Sequence, residues 1–141
     1  MAEGATALSA SVLAAIAVGG AAGSVCRHLL VLATARLATS WGAPQSLPLG
    51  VPAANIIGGL AVGVLAVSLT RLGLTDRFWP LLITGFLGGF TTFSAFSWEI
   101  LQLWERERAD LALIYLALNL LGALGGVALG AMLARASLGA A

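Results

Sequence analysis

The sequence predicts an all-α membrane protein of four transmembrane helices, the third of them broken, forming one domain over residues 1–141. Three observations carry this. Of the 141 residues, 60% are hydrophobic and 9% charged, whereas a soluble globular domain is about 45–50% apolar and about 25% charged. Four apolar stretches reach the ~20 residues that a helix needs to cross a bilayer. The third stretch carries Gly88-Gly89 followed by Thr91-Thr92 near its middle, a combination of poor helix formers.

The composition excludes several classes. The charged residues are too few for a water-exposed surface, and the apolar content is too high for a disordered chain. The formal net charge is +1 and all seven basic residues are Arg. No clustered positive footprint for nucleic acid exists. One Cys and one His leave no disulfide within the chain and no His/Cys metal cluster. With no Lys, no lysine-bearing phosphate loop can form. A lone His offers no credible Ser/His/Asp set, and no span carries paired carboxylates, so an enzyme is not expected.

The first span is expected over about 8–34, with Arg27 inside it. The residues before it include Glu3 and no basic residue, which argues against a cleaved signal peptide. The second is expected over 49–69, after the turn-rich loop 40–48. The third is expected over 78–103, after the short charged connection Arg71–Arg77. The fourth is expected over 111–133, after Glu105–Asp110, where five of six positions are charged and must sit in water. Pro52 and Pro80 fall in the expected first turns of spans two and three, where a missing N–H costs little. Trp41, Trp79, Trp98 and Trp104 lie near expected ends, as an interfacial aromatic belt requires.

Four spans put the 71–77 loop and both termini on one side, with Arg71, Arg77 and Arg135. The opposite side has Arg36, Arg106 and Arg108. Orientation normally follows an Arg/Lys excess on the cytoplasmic side. Here the tally is even, so dual topology is expected, with antiparallel dimers as its natural product. The alternative is one fixed orientation decided by Arg27.

Polar groups inside hydrocarbon are costly and need a reason. Arg27 follows the small-residue run Gly19-Gly20-Ala21-Ala22-Gly23-Ser24. It either snorkels to the nearer interface or makes a positive vestibule for an anion. Its neighbours Cys26 and His28 read as an inert filler and an interfacial residue. Asn55 is either interhelical glue or an amide donor to an anion. In span three, a break at Gly88–Thr92 is tolerable only inside protein or along a cavity, and carbonyls freed there can bind a cation. Phe93 and Phe96 share a helix face, and their positive ring edges can face an anion without supplying a full charge. The bland alternative is packing or lipid contact. Thr91, Thr92, Ser94 and Ser97 can bond back to the preceding turn, and Glu99 can be an interfacial carboxylate. In span four, Tyr115, Asn119 and Ala123 fall on one face, and Gly122, Gly126 and Gly130 on another. Every span has a four-residue glycine repeat: Gly19/Gly23, Gly59/Gly63, Gly85/Gly89 and Gly122/Gly126. These read as close-packing surfaces, except that Gly88-Gly89 reads as a break beside two rings.

These residues resemble the bacterial fluoride-channel family (Fluc, also called CrcB). Gly19-Gly20-x-x-Gly23-x-x-x-Arg27 is similar to its first-helix motif, and Asn55-Ile56-Ile57-Gly58 to its second-helix Asn-x-x-Gly. The run from Gly85 to Phe96, GFLGGFTTFSAF, is very similar to its third-helix signature and is the specific one. The resemblance covers nearly the whole chain. It implies an antiparallel dual-topology dimer in the bacterial inner membrane, exporting fluoride passively and so reducing fluoride toxicity. It implies a structural Na⁺ at the dimer interface, on the backbone carbonyls of Gly88 and Thr91. It implies pore roles for Asn55, Thr92, Phe93, Ser94, Phe96, Glu99, Tyr115 and Asn119, and a vestibule role for Arg27. The chain departs from the pattern in three places. Val51 stands where Thr is usual, Asn119 and Ala123 replace the expected serines, and His28 stands where an aromatic is common. Such departures also fit one subunit of a heterodimer with a paralogous partner. A small proton-coupled exporter is the remaining alternative, although the first span lacks the buried carboxylate such proteins need.

Overall fold

A computed structural model describes residues 9–40 and 47–139. Glu3, Trp41 and position 8 of the first expected span lie outside them. Four helical segments are long and apolar enough to cross a membrane: Ala10–Ser40, Gly50–Arg71, Thr75–Glu105 and Ala109–Ser137. We label the elements α1 (Ala10–Ser40), α2 (Gly50–Arg71), α3 (Thr75–Trp79), a π-helical stretch Pro80–Leu87, α4 (Gly88–Phe90), α5 (Phe93–Glu105) and α6 (Ala109–Ser137). Each span is longer than the apolar pattern predicts. The 31 residues of α1 make about 46 Å at 1.5 Å per residue, more than the ~30 Å hydrocarbon core. Helix continues into the polar boundary because the backbone still bonds to itself there.

Pro80 is not in the first turn of its helix. The helix begins at Thr75, so Pro80 lies in its second turn and opens the π-helical stretch. Proline has no N–H to give back along the ladder and its ring crowds the carbonyl four residues earlier. A shift to wider bonding accommodates it, and at the far end of the stretch the Gly88 N–H still reaches Ile83 O, five residues back. The turn after α2 is a glycine stop: Gly73 takes φ +66°, and the Leu74 N–H returns to Leu69 O at 2.9 Å. The loop between α5 and α6 carries an exposed ion pair, Arg108 to Asp110 at 3.0 Å. That hydrogen bond, then the carboxylate's charge, holds the Arg108 guanidinium above its ordinary pKa.

Glycines set the packing. The most extensive contact joins α2 to α6. A Cβ on Gly59 would lie 2.6 Å from Ala123 O, and one on Gly126 would lie 2.8 Å from Ile56 O. These backbones touch directly. The pairs Ile56/Gly126 and Leu60/Gly130 advance together, so α2 and α6 run parallel. The same logic makes α1 parallel to the third segment, where Ile16 and Gly19 meet Gly85 and Gly20 meets Gly89. The bundle is two parallel pairs that traverse it in opposite senses. Its small apolar core joins Val51, Phe96, Leu103, Ala112 and Tyr115. Many large apolar side chains face outward, among them Val18, Leu121, Leu124 and Met132, as a lipid-facing surface would require.

Candidate functional site

The third segment is interrupted near its middle. α4 ends at Phe90, and Thr91 and Thr92 are extended, at φ −85°, ψ 157° and φ −153°, ψ 125°. Helix resumes at Phe93. The sequence explains both ends. The Thr91 N–H and Oγ1 both donate to Leu87 O at 2.9 Å, closing α4. Thr92 Oγ1 accepts the Ala95 N–H at 3.2 Å and caps α5. Thr92 Oγ1 also pairs with Ser94 Oγ at 3.2 Å.

Side chains from two other helices hold the interruption. From α2, Asn55 Oδ1 accepts the Thr92 N–H at 2.9 Å, and Asn55 Nδ2 donates to Thr92 O at 3.1 Å. One carboxamide thus substitutes for the ladder bonds Thr92 lost. Gly58, one turn on, has no side chain where the Thr91 methyl sits. From α1, Arg27 Nε donates to Gly89 O at 3.2 Å and Ser24 Oγ reaches the same carbonyl at 3.4 Å. The first-helix motif therefore faces one target throughout: Gly19 and Gly23 admit the π-helical backbone, Gly20 admits Gly89, and Arg27 bonds to it. Arg27 is half-buried and reaches the interrupted helix, an option the snorkelling reading leaves out.

A groove of about 310 Å³ opens beside the interruption, lined in part by Asn55, Thr91, Thr92, Phe93, Phe96 and Asn119. The Phe93 and Phe96 rings lie 5.3 Å apart, tilted by 58°. They differ in burial: Phe93 is 73% exposed, Phe96 only 4%. Phe96 stacks on Tyr115 at 5.9 Å. Asn119 Oδ1 accepts from Asn55 Nδ2 at 3.0 Å, and Asn119 Nδ2 donates to Tyr115 O at 3.1 Å.

Five expected site residues lie off this groove, Arg27 among them. Ser94 is exposed at the start of α5, and Gly88 is exposed on α4. Tyr115 is fully buried and its hydroxyl donates to Glu99 Oε2. Glu99 lines a second cavity of about 280 Å³ with Val31, Thr34, Leu47 and Gly50. Val51 sits in the apolar core against this cluster, where a threonine hydroxyl would need a partner. Cys26 and His28 are exposed on α1. Val62 and Leu120 also line the first groove; two apolar residues in apolar helices carry no sequence signal.

A cation held by backbone oxygens has candidate donors here. The helical partner of Gly88 O would be the Thr92 N–H, which goes to Asn55 instead. The partner of Thr91 O would be the Ala95 N–H, which goes to Thr92 Oγ1. No group among the described residues donates to either carbonyl, and these are the two oxygens expected to bind Na⁺. Among the described residues no three His, Cys, Asp or Glu side chains gather as a metal site.

A family model described as "CrcB-like protein, Camphor Resistance (CrcB)" matches residues 14–131. A protein of Ruegeria sp. (strain TM1040) is 40% identical over 120 residues, covering 85% of this chain and 91% of its own. One of Cereibacter sphaeroides (strain ATCC 17029) is 41% identical over 120 residues, with the same shares, 85% and 91%. One of Francisella tularensis subsp. mediasiatica is 41% identical over 122 residues, covering 82% and 88%. All three are named fluoride-specific ion channels.

Proposed function

The chain belongs to the CrcB family, and we propose that it is a fluoride-selective channel that lets the ion leave the cell passively. Its relatives are named as channels, and that naming agrees with a chain that is multi-pass by the length and apolarity of its helices. The observation that carries the reading is the groove, where two carboxamides and a pair of phenylalanine rings meet at an interrupted helix. A small, strongly hydrated anion must exchange water for donors, yet must not be held so firmly that it cannot leave. Ring edges and neutral amides supply partial positive charge only. Arg27 is tied to Gly89 O beside the groove rather than in it. There it biases the vestibule toward anions.

The reading includes an antiparallel, dual-topology dimer in the bacterial inner membrane. Phe93, Ser94 and Gly88 are exposed on one chain, and a second copy would cover them. The freed carbonyls of Gly88 and Thr91 would hold Na⁺ at that interface, where the ion would neutralise oxygens that no N–H reaches. Thr92, Ser94, Glu99 and Tyr115 would continue the polar path away from the rings.

The test is fluoride efflux from liposomes containing the purified protein, read with a fluoride electrode. Rapid efflux with K⁺ as counter-ion, unaffected by collapsing the proton gradient, is the expected result. Efflux that needs a proton gradient would make the protein an exporter. Efflux only after a paralogous chain is added would make it one subunit of a heterodimer. No efflux in any condition would refute the reading.

A further inference from the structure

We infer that Pro80 is a positioning residue of the pore: the π-helical stretch it opens sets the register in which the interruption meets Arg27 and Asn55. The inference rests on the channel reading and deepens it, because Pro80 itself does not line the groove.

The third segment has a register problem. Leu81 and Gly89 both lay backbone against α1. A Cβ on Gly19 would run into Leu81 O, and one on Gly89 would run into the Gly20 backbone, with Cα at 3.0 Å. Gly89 comes eight positions after Leu81. At 3.6 residues per turn, eight positions make about 800°, which leaves Gly89 about 80° round the helix from Leu81. That drift would carry Gly89 O away from Arg27 Nε and Ser24 Oγ, which it meets at 3.2 and 3.4 Å.

The wider bonding removes the drift. A hydrogen bond reaching five residues back encloses one residue more than a bond reaching four. The Gly88 N–H goes to Ile83 O in this way. Gly85, midway between Leu81 and Gly89, then faces α1 as well: its Cβ would lie 2.9 Å from Ile16 O. Pro80 is where the wide stretch starts. Four-back bonding would need residue 80 to donate to Asp76 O, but proline has no N–H and its ring crowds that carbonyl. The stretch ends at Leu87, and α bonding returns over Gly88–Phe90. Thr92 then arrives in register for Asn55, at 2.9 and 3.1 Å, with Phe93 next in the chain.

Fluoride efflux from liposomes tests this, with assembly checked by size-exclusion chromatography. Pro80→Ala supplies the missing N–H and lets the stretch close to four-back bonding. The interruption then turns from Arg27, and efflux should fall about tenfold or more, as for one lost charge-assisted hydrogen bond. Removing Thr84, an exposed residue of the stretch, from that same variant leaves seven positions between Leu81 and Gly89. Seven positions make about 700° and return Gly89 to within about 20° of Leu81. Efflux should recover most of the loss. A proline needed only for stiffness would not be rescued by shortening the helix. Pro80→Ala and Arg27→Lys should also fail to add, since both act on Gly89 O, whereas independent distant changes add. Unaltered efflux in assembled Pro80→Ala, a shortened variant no more active than Pro80→Ala, or additive losses with Arg27→Lys would overturn the inference and leave the channel reading standing. If Pro80→Ala does not assemble, assembly restored by the shortening supports the inference, and continued failure overturns it. A silent unaltered protein would overturn both readings.

Discussion

Replacing Asn55 by leucine should destabilise the protein more than any other single change at the groove. Leucine has nearly the same branched shape, so the loss is of hydrogen bonds rather than volume. Three disappear: Thr92 N–H to Asn55 Oδ1 at 2.9 Å, Asn55 Nδ2 to Thr92 O at 3.1 Å, and Asn55 Nδ2 to Asn119 Oδ1 at 3.0 Å. Side-chain hydrogen bonds between membrane helices are worth about 0.6 kcal/mol on average and up to about 1.7 kcal/mol. Three of them amount to about 2–5 kcal/mol. The upper half of that range applies if Thr92 cannot re-form a helical bond, and its extended backbone on both sides of the peptide argues that it cannot. Reversible unfolding in mixed micelles, followed by circular dichroism, measures the loss. A double-mutant cycle with Asn119→Leu isolates the α2–α6 bond, with an expected coupling of about 0.6–1.7 kcal/mol. Loss of less than about 0.5 kcal/mol, the scatter of ordinary surface changes, would refute the claim that Asn55 holds the interruption.

Phe93→Ile should slow fluoride efflux with little change in stability, because the ring is 73% exposed on one chain. Phe96→Ile should slow it too and also cost about 0.5–1.5 kcal/mol of stacking on Tyr115; normal efflux from both variants would remove the rings from the ion's path. Gly88→Val should leave the single chain folded, since the nearest atom to an added Cβ is Ile83 O at 3.7 Å, while dimerisation falls. Gly89→Ala should instead disrupt the chain itself, because its Cβ would meet the Gly20 backbone, with Cα at 3.0 Å. A folded Gly88→Val variant with the dimer yield of the unaltered protein, read by size-exclusion chromatography, would contradict an interface role for Gly88. Reporters fused to the C-terminus should be active in both compartments if insertion is dual, and activity in only one would sink that expectation.

The spans were legible because hydrophobic length needs no tertiary information. Their ends were not: α1 runs to Ser40 and α6 to Ser137, past the apolar runs, since backbone bonding rather than hydropathy decides where a helix stops. By sequence Pro80 falls in a first turn because Phe78 begins the apolar run, whereas Thr75 begins the helix. The pairing of Phe93 with Phe96 was legible from spacing alone. Their unequal burial was not, because it depends on Tyr115 approaching from α6. The two readings of Asn55 could not be separated from sequence for the same reason. An amide's function is set by what it has already bonded, and both its partners lie on other helices.

Gly88-Gly89 and Thr91-Thr92 make a helix easy to interrupt, but easy interruption alone would give a mobile kink. Here the interruption is held from two sides. Arg27 of α1 takes Gly89 O, and Asn55 of α2 takes both backbone groups of Thr92. Among the described residues neither helper bonds Gly88 O or Thr91 O, whereas Gly89 O is taken by Arg27. The guanidinium reaches the interruption from α1 and the carboxamide from α2. This arrangement also explains how a span can contain an arginine. The charge does not cross lipid alone, because the break supplies the carbonyl that receives it. Arg27→Lys should therefore weaken the interruption although the charge is kept, since a single flexible ammonium cannot reproduce the guanidinium's fixed donor plane. Preserved stability in that variant, measured in the same unfolding assay, would show that charge rather than geometry matters at this site.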